Sequence, residues 1–172
     1  QVSAGYSFAC ALRTDGTVWC WGYNGDSELG NGSTVDSSTP VQVSGLSGVS
    51  QVSAGSYFAC ALRTDGTVWC WGDNTLGELG IGSVTMPSST PAQVSGLSGV
   101  SQVSAGNQFA CALRTDGTVW CWGGNQFGRL GNGLTLNSST PVQVSGLSGV
   151  SQVSAGDGSS ACSLRSDGTI SC

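Results

Sequence analysis

The chain of 172 residues carries charge on only 9% of its positions, against about 25% in an ordinary soluble domain, and its five cations are all Arg, with Lys and His absent. A net charge of -5 offers no basic face to phosphates, which argues against nucleic acid and anionic membrane surfaces as partners, and no apolar run reaches the 18 or so residues of a membrane span. Its 28 Gly and many Ser and Thr separate short apolar runs, a composition that favours strands and turns.

The opening "QVSAGYSFAC" has neither the charged start nor the apolar centre of a secretory signal, so a secreted form would already have lost its leader. "QVSA" reads as a short strand. "FACALR" and "TVWCW" follow as two more around the turn "RTDGT", then comes a variable loop from Tyr23, and "VQVS" is a fourth strand; Gly, Pro or Ser bounds each. The series begins again at 51 and 102, and in part at 153, with Cys10, Cys60, Cys111 and Cys162 at successive spacings of 50, 51 and 51. Periods of this size mean propeller blades or a solenoid, and four strands per period is a blade. No segment of a dozen residues has helical spacing of apolar positions. The expected fold is all-β: β-propeller blades of four antiparallel strands, three complete (1–50, 51–101, 102–152) and a partial fourth (153–172), with about 15 strands in all.

Eight Cys without His, each pair ten positions apart, do not match the close pairs of zinc sites or of redox Cys-x-x-Cys, which leaves disulfides and an oxidising compartment. The turn decides the pairing. A two-residue loop at Asp15 and Gly16 would set Cys10 opposite Trp21; a three-residue loop, Thr14 to Gly16, with Gly16 in the left-handed bulge position, sets Cys10 opposite Cys20 at a non-hydrogen-bonded site. The second register suits a cross-strand bridge and predicts Cys10–Cys20, Cys60–Cys70, Cys111–Cys121 and Cys162–Cys172, one hairpin disulfide per unit. It also gives the hairpin two apolar faces. Phe8, Cys10, Leu12, Val18 and Cys20 share one, and Ala9, Ala11, Trp19 and Trp21 the other, so each sheet must be covered on both sides.

"SAGYSFACALRTDGTVWCWGYN", then "ELGNG" and "TPVQVSGLSGV", resembles the regulator of chromosome condensation repeat, whose blades read roughly S-A-G-x-x-H-x-x-A-L-x-x-D-G-x-V-x-x-W-G-x-N-x-x-G-Q-L-G-x-G. The spacing of SAG, AL, DG, WG, N and LG is kept in three successive units, and the match runs the length of the chain. The resemblance implies a β-propeller, typically of seven blades, and is to the cysteine-bearing secreted bacterial type. Three departures stand out. Phe8, Phe58, Phe109 and Ser160 replace the pattern's His, and Glu28, Glu78 and Arg129 its Gln. Three and a half units cannot close a ring of seven, so the chain is expected to be an excerpt or to self-associate through open strand edges.

No catalytic set assembles, since general acid-base and nucleophilic chemistry call on His, Lys, free thiols or paired acids. Asp26, Glu28, Asp36, Asp73 and Glu78 lack the dense alternation of a calcium loop, so neither metal nor cofactor is expected. The Asp before each turn Gly reads as turn chemistry, each Arg before it as a partner of nearby carbonyls or Asp, and the Trp pairs as core. Residues common to every unit most economically build the blade, so a unique site must use positions that differ. Those are Tyr6, Tyr57 and Gln108 in one loop series, and Tyr23, Asp26, Leu76, Gln126, Phe127 and Arg129 in the next. Asn31 and Asn137 head N-glycosylation sequons, and Thr39, Thr90 and Thr140 precede Pro as O-glycan candidates. The functional expectation is a non-enzymatic extracellular or cell-surface scaffold for a protein or glycan partner, or for copies of itself. A fibre or sheath protein assembled end to end is the alternative; a lectin-like binder would need one polar set repeated in every loop, and the loops differ.

Overall fold

A computed structural model describes every residue except Ser159. Among the described residues, fifteen strands form four antiparallel sheets, each running in chain order: β1 (Val2–Ala4), β2 (Phe8–Leu12), β3 (Val18–Gly22) and β4 (Ser37–Gln42); β5 (Val49–Ala54), β6 (Phe58–Arg63), β7 (Val68–Gly72) and β8 (Ser88–Gln93); β9 (Val100–Ala105), β10 (Phe109–Arg114), β11 (Val119–Gly123) and β12 (Ser138–Gln143); and β13 (Val150–Ala155), β14 (Ala161–Arg165) and β15 (Ile170–Ser171). The fourth strand of each complete sheet begins earlier than the "VQVS" expected of it. Ser37 pairs with Gly22 after a register shift, and Pro40 is tolerated because β4 is an outer edge with no further ladder to donate to.

The hairpin register follows from the bulged turn. Arg13 N donates to Thr17 O at 2.9 Å, Gly16 N to Arg13 O at 3.1 Å, and Gly16 has a φ of 77° that an L side chain rarely adopts. Asp15 Oδ1 accepts from Thr17 N and Thr17 Oγ1, and Arg13 reaches the same carboxylate at 3.6 Å. Ala11 then faces Trp19 and Cys10 faces Cys20, in disulfide contact with Cα atoms 4.1 Å apart; Cys60–Cys70, Cys111–Cys121 and Cys162–Cys172 repeat the arrangement.

Sheets stack face to face. The Phe8, Cys10, Val18 and Cys20 face of the first packs on Ala59, Ala61 and Trp71 of the second, and Phe58, Cys60, Val68 and Cys70 of the second pack on Ala110, Ala112 and Trp122 of the third. A flat alanine surface beside one large indole is what lets two twisted sheets approach. Gly55 tightens the junction further, since a Cβ there would collide with the Gly106 carbonyl.

The inner strands β5, β9 and β13 would otherwise present bare backbone edges. Side chains from the preceding sheet fill that role. Gln51 Nε2 donates to Val103 O and Gln51 Oε1 accepts from Val103 N, both at 3.0 Å, while Ser53 Oγ accepts from Ala105 N at 3.0 Å. Gln1 and Ser3 do the same for Val52 and Ala54, and Gln102 and Ser104 for Val153 and Ala155.

A second latch closes the first two junctions further out. Trp71 Nε1 donates to Glu28 O, and Trp122 Nε1 to Glu78 O, both at 2.7 Å. Both Glu side chains are buried. One carboxylate oxygen of each accepts a backbone N–H, from Asp26 or Leu76, and the other has no partner. Burial, reinforced by Asp26 and Asp36 around Glu28 and by Asp73 near Glu78, raises each carboxyl from 4.5 to about 7.

Removing one bridge by Cys60→Ala with Cys70→Ala should lower unfolding free energy by about 2 to 3 kcal/mol, measured by guanidinium denaturation against the oxidised parent. A second expectation concerns pH. Because the folded-state pKa of Glu28 and Glu78 lies above the unfolded value of 4.5, their contribution is full below pH 4.5 and is lost as pH rises through about 7. Asp15, Asp65, Asp116 and Asp167 act oppositely: their Thr hydrogen bonds lower their pKa below 3.8, so that contribution is lost only as pH falls below the ordinary carboxylate range. Unfolding free energy from denaturant titration should therefore be higher at about pH 5 than at about pH 8, by up to roughly 3 kcal/mol per buried Glu. Glu28→Gln with Glu78→Gln should flatten that difference.

Candidate binding rim

Each sheet has two ends. The Arg-Thr-Asp-Gly-Thr turns close one, where they meet the linkers between sheets: Val49 N donates to Gly16 O, and Arg63 Nε to Ser47 O. The loops that differ between units emerge at the other. The β1–β2 loop carries Tyr6, and the long β3–β4 loop starts at Tyr23, whose N–H donates to Ser7 O at 2.9 Å; Asp73 and Gly124 repeat that bond to Tyr57 O and Gln108 O. Neighbouring units are stitched along this rim as well, by Tyr6 N to Ser56 O, Ser56 N to Gly106 O and Asn107 N to Gly156 O.

The long loops vary in sequence over a fixed frame. Asn24, fully buried, donates from Nδ2 to Ser33 O and Val35 O and accepts Leu29 N at Oδ1. Asn74 and Asn125 hold their loops through the same positions. Sequence reasoning gave these Asn no role, although their recurrence after Trp-Gly was the signal. It also passed over Gln51 and Ser53, whose partners lie 52 residues away.

The structure brings several candidates together and sets others apart. Tyr6 and Tyr57 touch, with ring centroids 5.8 Å apart and planes tilted by 47°, and Tyr6 is 75% exposed. Tyr23 is 43% exposed beside Asp26 and Asp36; its hydroxyl pKa is raised by the negative field of Asp26 foremost, then by partial burial and by Glu28, Asp36 and Tyr57. Leu76 lies over Gly124 of the next unit, close to Gln108, and Gln126 and Phe127 stand exposed further along. Arg129 departs from the expectation of a displayed residue. It is buried, with its guanidinium over the Phe109 and Phe127 rings at 5.6 Å each, so it supports Phe127 from beneath.

Asn31 Oδ1 accepts Ser33 N, and the exposed Asn137 accepts Asn125 N through Oδ1, as Asp36 does for Asn24. Thr39, Thr90 and Thr140 are exposed on the outer strands β4, β8 and β12. A cleft of about 490 Å³ between the third and fourth sheets is lined by Val144, Cys162 and Arg165. It lies over Gly131, where Trp71 lies over Gly30 and Trp122 over Gly80 at the other junctions, so it belongs to the stacking scheme. The described residues hold no free thiol and no group of three or more acidic or sulfur side chains placed to bind a metal.

Two sequence profiles described as regulator of chromosome condensation (RCC1) repeat match the chain, one over residues 1–28, 49–78 and 100–129 and the other over 15–62, 65–113 and 116–163. The ultraviolet-B receptor UVR8 of Arabidopsis thaliana is 32% identical over 138 residues, covering 78% of this chain and 31% of the receptor. Among solved structures, yeast RCC1 (Prp20) bound to Kap60 superposes with a TM-score of 0.84 at 21% identity, covering 99% of this chain and 42% of that one. The ectodomain of the Physcomitrella patens receptor kinase CR4 superposes with a TM-score of 0.61 at 26% identity, over 96% of this chain and 38% of that one. The chain thus spans about a third of that curated relative and less than half of those solved chains. With the repeat matched across most of its length and carried into stacked four-stranded sheets, the chain belongs to the regulator of chromosome condensation (RCC1) repeat family of β-propellers.

Proposed function

We propose that this chain is a non-enzymatic, extracellular propeller scaffold that binds a protein partner through the rim where its non-repeating loops emerge. One observation carries the reading: the side chains that vary between units gather at a single end of the sheets, where identical buried Asn residues fix the long loops, while the repeated Arg and Asp pair with each other at the opposite end. A rigid frame with variable, exposed loops is how scaffolds present binding residues. Relatives support binding as the role, since yeast RCC1 is seen bound to Kap60 and the yeast protein Prp20p is described with binding properties to Gsp1p and histones. Four disulfides fit an oxidising compartment, and the moss neighbour is an ectodomain.

Assembly with a further unit is a second reading, favoured by the junction chemistry. Gln152 and Ser154 are exposed at the positions from which Gln51 and Ser53 clamp the next sheet, so the fourth sheet offers the same docking edge to another blade, of a longer chain or of a second copy. Exposed Thr39, Thr90 and Thr140 suit O-glycans in the same extracellular setting.

Selection of peptide and glycan libraries on the full chain, against a variant carrying Tyr6→Ser, Tyr57→Gln and Phe127→Ala, tests the binding reading. Ligands enriched on the parent should lose at least about tenfold affinity on the variant at unchanged melting temperature, as expected when central aromatic contacts are removed. Ligands indifferent to the substitutions, or none at all, would overturn it.

A further inference from the structure

All three tyrosines of the chain, 17 and 34 positions apart in sequence, are drawn to one stretch of the rim at the junction of the first two sheets. Tyr6 comes from the β1–β2 loop, Tyr57 from the equivalent loop of the next unit, and Tyr23 from the start of the β3–β4 loop. None recurs in the third unit, where Asn107, Gln108 and Gly124 stand in their places, so blade construction does not require them. Exposed Tyr6 and Tyr23 beside half-buried Tyr57 leave aromatic area in water without a structural reason.

The surrounding charge is of one sign. Asp26 and Asp36 flank Tyr23 on its own loop, Glu28 lies beneath, and Asp73 begins the neighbouring loop next to Tyr57. Every cation of the chain is elsewhere. Arg13, Arg63, Arg114 and Arg165 stand at the opposite ends of their strands, the first three each reaching an Asp, and Arg129 is buried in the third unit. Aromatic faces are electron-rich, and carboxylates around them with no internal counter-charge add to that field. A planar guanidinium satisfies both features, stacking on a ring while its edge meets a carboxylate. A neutral sugar would gain nothing from the one-signed field, whereas a cation gains from both the rings and the carboxylates.

We propose that the Tyr6, Tyr23 and Tyr57 cluster, with Asp26 and Asp36, is a docking site for an Arg-bearing segment of a partner protein. The inference rests on the reading of the loop rim as the binding face and names the chemistry of the partner there.

The chain supplies its own test substitutions. Ser56 occupies the position of Tyr6, Gln108 that of Tyr57, and Asn137 that of Asp36, where it makes the same 2.8 Å hydrogen bond to the loop Asn. Binding of a fluorescein-labelled peptide of alternating Gly and Arg would be followed by anisotropy on the full oxidised chain. A matched Gly-Glu peptide and a neutral glucose hexasaccharide serve as competitors. The Arg peptide should bind saturably, weaken at least about tenfold with Tyr6→Ser and Tyr57→Gln, weaken several-fold with Asp36→Asn, and weaken as salt rises from about 0.05 M to about 0.5 M. Melting temperatures should stay within about 2 °C of the parent, since each replacement already stands in another unit.

Arg-peptide binding unchanged by the Tyr substitutions would reduce the effect to the chain's net charge and overturn the proposal. Displacement by the hexasaccharide, or no Arg-peptide binding, would overturn it too. If rim-dependent ligands from the library selection survive those outcomes, the scaffold reading stands and only the cationic partner falls.

Discussion

Everything in this fold depends on a sheet whose inner edge is completed from outside itself. A four-stranded blade of this sequence has two apolar faces, one lined by Phe and Cys and the other by Ala and Trp, and an inner strand whose outward backbone groups meet no further strand. Face-to-face stacking covers the first exposure, and the Gln and Ser of "QVSAG" cover the second by bonding the next inner strand. The two solutions act in one direction along the chain. Along the chain a unit gives its Phe–Cys face and its Gln–Ser clamp to the unit that follows it, so stability accrues at junctions.

The disulfides work within this scheme. A blade with many Gly and few charges has little to hold its hairpin before a neighbour arrives, and a bridge at the centre of the two middle strands fixes their register independently of stacking. The sulfurs also serve as packing atoms, since Cys60 and Cys70 are fully buried against the third sheet. Buried Glu28 and Glu78 add a further polar element to the junction, in the loop whose backbone each Trp grips.

Local features were legible in the sequence because their causes are local. The Asp-Gly turn dictated the bulge, the bulge dictated the register, and the register put Cys10 opposite Cys20 and sorted the two faces. The early start of β4 escaped because Pro40 reads as a strand terminator and only its place on an outer edge makes it acceptable. Gln51, a polar residue in a short strand, gives no sign of a partner 52 positions ahead. The rim escaped in a similar way: the variable positions could be named, but that Tyr6 and Tyr57 would meet, and that Arg129 would turn inward, follows from stacking geometry absent from any single unit.

The buried Asn at the root of each long loop has a consequence for engineering. Asn74 holds its loop in the second unit, which carries one more residue than its neighbours, through the same two loop positions as Asn24 and Asn125, the Ser83 carbonyl and here the Thr85 hydroxyl, and through the equivalent Leu N–H. The added length lies outboard of that knot and leaves the strand register alone. A grafted epitope or recognition peptide placed beyond the knot, between Thr85 and Ser88 for example, would therefore be carried as cargo on a frame that does not sense its length. The molecule is in this respect a display platform with three equivalent ports.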